Sequence, residues 1–112
     1  MEAKIAQMGM VTIVELEGRL DFETALPFRR TCLEHLIHRP VVLDMKKLNF
    51  VGSLGITDFI ETIEGLFEKT ATGVKLCGVS SEFKRLFESS KISGLEIFES
   101  KTQALASFDL LL

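Results

Sequence analysis

One stretch in the middle of the chain constrains the fold more than any other. Val41–Met45 is a nearly continuous apolar run that directly follows Pro40. Such a run is typical of a central strand in a parallel sheet, because helices cover both of its faces. A helix cannot continue through the preceding proline, so the run begins a new element. The run therefore predicts an α/β fold in which helices connect parallel strands.

The segments before this strand predict two further strands and a helix. Lys4–Gln7 is a short strand candidate, and Val11–Glu17 is rich in β-branched residues, as strands are. A helix is expected to begin near Thr24, which can serve as its N-cap, with Pro27 in its first turn. This helix must end before Pro40, because the residue preceding a proline disfavours helical geometry.

The second half of the chain continues the alternation. A helix is predicted from about Ser53 to Thr70, followed by a strand at Val74–Cys77 and a third helix capped by Ser81. Leu95–Phe98 forms the last strand, and Ser100–Gln103 matches a capping box that opens a terminal helix. Apolar residues recur at helical spacing in the second helix, at Ile56, Phe59, Ile60, Ile63, Leu66 and Phe67. In the third helix, Phe83, Leu86 and Phe87 are expected to face inward.

This order predicts the architecture of the whole chain. Strands that alternate with helices favour right-handed crossovers and a mostly parallel sheet. We therefore expect one α/β domain over residues 1–112, with about five strands and about four helices. The first strand is expected to be an antiparallel edge, since a short turn joins it to the second.

Composition excludes several classes of function. The chain has 112 residues, a net charge of -3 and a sequence pI near 5.4, whereas nucleic-acid-binding domains usually present a basic face. No apolar run is long enough to span a bilayer, and no signal-peptide pattern is present. Two isolated cysteines do not make a disulfide framework. These features favour a cytoplasmic domain without membrane insertion or direct nucleic-acid contact.

The side chains that could carry catalysis do not form a recognisable site. His35 and His38 would share a helix face, but no Cys or carboxylate pair completes a metal site. Cys77 ends an apolar strand, where a buried structural thiol is expected. Val51 occupies the place of the first glycine in the Gly-x-Ser-x-Gly elbow of hydrolases. We predict no catalytic residue, no metal and no cofactor, and hence no enzyme.

Ser53 lies where the central strand gives way to a helix, and two interpretations of it remain open. In the first, the serine simply caps the helix, which is the commoner role of a hydroxyl at this position. In the second, it accepts a phosphate, because a helix start favours an anion. Gly52 and Gly55 leave its surroundings open, Leu54 adds apolar surface, and Asp21 is expected on the same edge of the sheet.

Several segments follow one another as they do in a known family. Val14–Asp21 ends in Gly-x-Leu-Asp, and the other segments are Thr24–Ala25, Val42–Met45 with Leu48 and Phe50, Ser53–Gly55, Val79–Phe87, and Ile92 with Leu95, Ile97 and Phe98. Together they resemble the STAS domain over nearly the whole chain, and within it the bacterial anti-sigma factor antagonists. The resemblance implies the α/β fold predicted above.

The resemblance also implies roles for individual residues. In the antagonists an anti-sigma factor with kinase activity phosphorylates the first hydroxyl of an Asp-Ser-Ser/Thr-Gly loop. Ser53 falls on this acceptor and Gly55 on the glycine. Gly52 replaces the aspartate, and Leu54 replaces the second hydroxyl residue. Asp21 falls on the aspartate that lies near the acceptor in the family.

A function and a set of partners follow from the resemblance. The chain would bind an anti-sigma factor serine kinase and so release a sigma factor, phosphorylation of Ser53 would oppose binding, and a phosphatase would reverse it. One alternative is a STAS interaction subunit that works without phosphate, for example in a lipid-transport ABC system. Another is a small phosphocarrier or hydrolase that uses Ser53 or Cys77. A homodimer is also compatible with the sequence. The expected partner-binding residues are Asp21, Phe22, Gly52, Leu54, Gly55, Ile56 and Asp58.

Overall fold

The computed structural model describes residues 2–50, 53–69, 73–89 and 94–108, with the backbone alone at Phe22, Phe50, Ser53, Leu54, Gly55 and Glu82. The described elements follow the predicted order of five strands and four helices. They are β1 (Glu2–Met8), β2 (Val11–Leu20), α1 (Phe22–His35), β3 (Val41–Phe50), α2 (Ser53–Lys69), β4 (Val74–Cys77), α3 (Ser81–Ser89), β5 (Glu96–Phe98) and α4 (Lys101–Ala106). No described helix is long and apolar enough to cross a membrane.

The strands form one sheet in the order β1-β2-β3-β4-β5. β1 runs antiparallel to β2, and every other neighbouring pair is parallel. This arrangement confirms the predicted mixed sheet with an antiparallel edge. Each parallel pair is joined through a helix, as the crossover rule requires.

β3 is longer than the sequence predicts. The apolar run suggested an end at Met45, but the strand continues to Phe50. An irregularity opposite the Glu15–Glu17 stretch of β2 shifts the pairing, and the pairing then resumes with Lys47 opposite Glu17. The extension was missed because its first residues are polar. These residues, Lys46 and Lys47, are exposed, and the Lys47 ammonium is 3.4 Å from the Glu17 carboxylate.

Helices cover both faces of the sheet and divide the core in two. The larger part lies under α1, α2 and α3, and its aromatic centre is a stack of Phe28 on Phe59 with ring centroids 5.6 Å apart. Phe87 of α3 meets Phe59 edge to face at 6.2 Å. The smaller part lies under α4 on the other face, and its buried members are Val11, Val42, Cys77, Ala104 and Phe108.

Two of the helix starts test the predicted caps. The capping box at α4 is confirmed, with Ser100 Oγ accepting from the Gln103 N–H at 3.2 Å and the Gln103 side chain accepting from the Ser100 N–H. The cap predicted for α3 is wrong. Ser80 rather than Ser81 accepts the Phe83 N–H, because the helix begins one residue earlier than expected. The predicted inward position of Leu86 is also wrong, since 36% of it is exposed.

Lys75 explains how the six-residue α4 stays on the sheet. Its ammonium donates to Ser107 Oγ at 2.6 Å and lies 4.1 Å from the centre of the Phe108 ring. The Glu96 carboxylate is 3.5 Å away, and only 12% of the lysine side chain is exposed. A charge so enclosed is tolerated because hydrogen bonds, an ion pair and an aromatic face all surround it.

Candidate functional site

The ends of β2 and β3 bring the starts of two helices together. The last paired residues of these parallel strands are Leu20 and Phe50, which lie opposite each other. Asp21 follows β2 and caps α1, while Ser53 is the first residue of α2 and comes shortly after β3. Neighbouring strands lie about 4.8 Å apart, so both helix starts belong to one edge of the sheet. We call this edge the rim and define it as Asp21, Phe22 and the start of α2 from Ser53 to Asp58.

Asp21 is held in place by reciprocal hydrogen bonds with Thr24. Asp21 Oδ1 accepts the Thr24 N–H at 3.0 Å, and Thr24 Oγ1 accepts the Asp21 N–H at 3.0 Å. The expectation that Thr24 is the N-cap is therefore wrong. β2 runs to Leu20, so the helix begins immediately and Thr24 occupies its third position. Pro27 consequently lies in the second turn of α1 instead of the first.

These hydrogen bonds favour the ionised form of Asp21. The backbone N–H and then the hydroxyl of Thr24 lower the pKa of Asp21, since both stabilise the carboxylate form. Asp21 is therefore ionised at neutral pH and is fixed at the carboxyl end of β2.

The hydrogen bonds between Asp21 and Thr24 predict how the stability of the fold changes at acid pH. The pKa of Asp21 is lower in the folded chain than in the unfolded one, so its carboxylate contributes stability above the unfolded pKa. That contribution is lost as pH falls through the folded pKa. Asp21→Asn keeps an oxygen acceptor for Thr24 but cannot titrate. Between about pH 6 and about pH 2 the unfolding temperature of the wild type should fall more than that of Asp21→Asn.

The other shifted carboxylates act as an internal reference in this experiment. The pKa values of Glu15 and Glu17 are also lowered, chiefly by hydrogen bonds from Lys101 and Lys4, respectively. They titrate alike in both proteins, so the difference between the two pH curves isolates Asp21. Parallel curves over the acid range would contradict the proposed role of the carboxylate.

The structure places the predicted acceptor where the sequence expects it. Ser53 is the first residue of the 17-residue α2, and the first turn of this helix contains no acidic residue. The described part of α2 then gives a half-buried Ile56 and a half-buried Asp58. Gly52 lies outside the described residues, as does Thr70 at the predicted end of this helix. Side-chain geometry is likewise not described for Phe22, Ser53, Leu54 and Gly55.

A tight contact lies beside the irregular part of β3, and no pattern in the sequence predicts it. Asp44 Oδ1 accepts the Lys46 N–H at 3.0 Å, where the strand is irregular. Gly78 packs directly against this point with φ of +68°. A Cβ atom on Gly78 would lie 2.9 Å from Lys46 N and 3.1 Å from Asp44 Oδ1. Only glycine fits here, because both the backbone angle and the space exclude a side chain.

A groove of about 420 Å³ lies beside this contact, between the last part of β3 and the start of α3. Both apolar and polar groups line it, so it could accept a mixed protein surface rather than a purely apolar ligand. Its lining residues are Met45, Lys46, Leu48, Asn49, Gly78, Ser80 and Phe83.

The remaining candidates for chemistry are spread over the molecule. Cys32 and Cys77 are buried in separate parts of the core, and burial raises the pKa of each thiol to about 12. Neither thiol therefore supplies an appreciable thiolate at neutral pH. His35 and His38 are exposed, and His35 lies 3.8 Å from the Glu34 carboxylate. Within the described ranges no three His, Cys, Asp or Glu side chains group as metal ligands.

Comparisons with known proteins agree with this architecture. The family model described as the STAS domain matches residues 2–104. No curated protein matches the chain at a significant level.

Solved structures resemble the chain at low sequence identity. RsbS from Moorella thermoacetica is 18% identical with a TM-score of 0.75, and the match covers 99% of this chain and 97% of that one. The phosphorylated form of the Bacillus cell fate determinant SpoIIAA is 15% identical with a TM-score of 0.65, over 95% and 98%. The murine anion transporter Slc26a9 is 19% identical with a TM-score of 0.71. That match covers 94% of this chain but 18% of the transporter. At these identities the likeness shows the fold.

Proposed function

Because the chain belongs to the STAS domain family, we propose that it acts as an anti-sigma factor antagonist controlled by phosphorylation of Ser53. One observation carries this proposal. Ser53 opens a long helix at the same sheet edge as the ionised Asp21. A phosphate added at this point would alter the charge of this edge of the sheet.

The start of α2 can accommodate a phosphate. The first N–H groups of a helix have no partner within it, and the helix dipole favours negative charge there. No carboxylate in the first turn of α2 opposes such a group. We therefore expect the fold to survive modification, so that the effect falls on partner binding.

The proposed partner is an anti-sigma factor with serine kinase activity, and a phosphatase would reset the domain. In the unmodified state the partner would dock on the rim, and the neighbouring groove beside Phe83 could extend the contact. In this proposal Leu54, which replaces a hydroxyl residue of the family pattern, adds apolar contact area. The proposed contact residues are Asp21, Phe22, Gly52, Leu54, Gly55, Ile56 and Asp58.

The proposal is tested by a phosphorylation assay. The purified protein is incubated with a kinase-type anti-sigma factor from its own cell and ATP, and its peptides are examined by mass spectrometry. We expect one phosphoryl group on the peptide that contains Ser53 and none on Ser53→Ala. Ser89→Ala is the matched control, because it removes an exposed hydroxyl at the end of α3 and should leave phosphorylation intact. Modification of Ser53→Ala to the same extent would refute the assignment.

A second candidate is a STAS subunit that binds its partner without phosphate, for example in a lipid-transport ABC system. It is favoured by Gly52 and Leu54, which depart from the phosphorylation loop of the family. Under this alternative the kinase assay gives no phosphate, and a transporter ATPase co-purifies with the chain. An enzymatic role has less support, since burial keeps the Cys77 thiol protonated.

A further inference from the structure

β1 is a long, regular edge strand with neither a proline nor a bulge. Within the described residues it pairs only with β2, and the register is unbroken from Glu2 opposite Glu17 to Met8 opposite Val11. All seven of its residues are exposed. Proteins commonly protect such an edge with proline, a bulge or charged side chains, above all lysine. β1 has neither proline nor a bulge, and its one lysine, Lys4, is paired with the Glu17 carboxylate of β2 at 3.3 Å.

Apolar surface follows this edge. Ile5 is 56% exposed and Met8 is 53% exposed, and both belong to β1. Ile5 lies opposite the buried Val14, so it is on the sheet face that α1 covers. Between β1 and α1 runs an open groove of about 260 Å³, lined by Ala3, Glu23, Thr24, Pro27, Phe28 and Thr31.

An unpaired strand edge beside an apolar groove is the arrangement that binds an added strand. The backbone supplies hydrogen bonds, and the groove accepts alternate side chains. If the added strand extends the sheet with helices on the same side, odd-numbered residues of one β1 must oppose odd-numbered residues of the other. For two copies of β1 in antiparallel orientation, the two-fold axis therefore passes midway between the two copies of one residue, which lie opposite each other.

The sequence of β1 fits itself in one such register. A two-fold axis at Ile5 pairs all seven residues of the strand, with Ile5 opposite Ile5 and Glu2 opposite Met8. Lys4 then lies opposite Ala6, and no like charges face each other. An axis at Lys4 would instead oppose two ammonium groups, which is destabilising.

We propose that β1 binds β1 of a second copy of this chain, giving a dimer with one continuous sheet. In this dimer Ile5 of each copy lies at the mouth of the groove between β1 and α1 of the other. The contact involves neither Ser53 nor α2, so dimerisation and the proposed function are tested separately.

The oligomeric state tests this proposal. Sedimentation or light scattering over a concentration series should show the mass rising from 12.5 kDa toward twice that value. Ile5→Lys places two ammonium groups together at the axis and should weaken association at least tenfold. Leu86→Lys, the same change at an exposed residue of α3, should dimerise like the wild type. A wild type that stays at the mass of one chain at every concentration would overturn the proposal, as would a folded Ile5→Lys that dimerises normally.

Cysteine substitutions test the register independently of stability. Opposite residues in an antiparallel pair have Cα atoms about 4.5 to 5.5 Å apart, within reach of a disulfide. Ile5→Cys should therefore form a cross-linked dimer under mild oxidation. Gln7→Cys is the control, because the substituted thiols would lie about 13 Å apart along the strands. The native thiols are buried and should not interfere. Equal cross-linking of both variants, or none with Ile5→Cys, would exclude this register.

Discussion

Replacing Gly78 with alanine is expected to lower the free energy of unfolding by about 3 kcal/mol. Two costs combine at this residue. Its φ of +68° is a conformation that alanine adopts only with strain, and the new Cβ would meet Lys46 N at 2.9 Å. Lys46 N, the nearest opposing atom, belongs to the backbone of β3, so it cannot rotate away as a flexible side chain could. Urea or thermal unfolding measures the loss.

Alanine substitutions at two other glycines separate the cost of backbone strain from the cost of the close contact. Gly9 has φ of +62° but no atom within 4 Å of the added Cβ, so Gly9→Ala carries the conformational strain alone. This strain should cost about 1 kcal/mol. Gly65 lies inside α2, and its new Cβ would make an ordinary contact with Leu33 at 3.5 Å. Gly65→Ala should therefore stabilise the protein by about 0.5 to 1 kcal/mol through helix propensity. A loss in Gly78→Ala no larger than that in Gly9→Ala would mean that the close contact with β3 yields freely.

The local signals in the sequence were sufficient to predict the order of elements. Short-range patterns set strands and helices, such as the apolar run at Val41–Met45 and the capping box at Ser100. β1 was predicted as an antiparallel edge strand that a short turn joins to β2, and the sheet confirms this.

Several features that the sequence did not predict depend on contacts between distant residues. β3 continues past Met45 because Lys47 pairs with β2, which no local pattern of charged residues indicates. Gly78 lies against Lys46, 32 residues earlier in the sequence, and only the tertiary structure reveals that contact. Leu86 matched an inward helical position by spacing but lies where neighbouring elements leave it partly uncovered.

The candidate site was also predicted only in part. The sequence placed Ser53 at the start of a helix and Asp21 on the same edge of the sheet, and the structure agrees with both. It did not identify Asp21 as the cap of α1, because a second residue that can cap a helix, Thr24, lies three residues later. Partner contacts at Leu54 and Gly52 stay predictions, since a binding surface need not affect the folding pattern from which elements are inferred.

A negative charge at Ser53 should weaken binding of the proposed anti-sigma factor by roughly a hundredfold, or about 3 kcal/mol. Phosphate brings about -1.5 to -2 charges to an edge that already contains the ionised Asp21. A docking partner would have to desolvate both groups at once. Ser53→Asp and Ser53→Glu should reproduce part of this loss, while Ser53→Ala should bind like the unmodified protein. Calorimetric titration of each variant with the purified partner gives the affinities.

The position of the charge, rather than its presence on the domain, is the decisive variable. Ser89→Asp adds a carboxylate to the exposed end of α3 and should leave the affinity unchanged. The loss at Ser53 should also shrink as ionic strength rises, to the extent that repulsion rather than desolvation causes it. If Ser53→Asp and Ser89→Asp bind equally well, charge at the rim does not control docking. The unphosphorylated interaction subunit then becomes the better account, because it needs the rim as a surface but not as a switch.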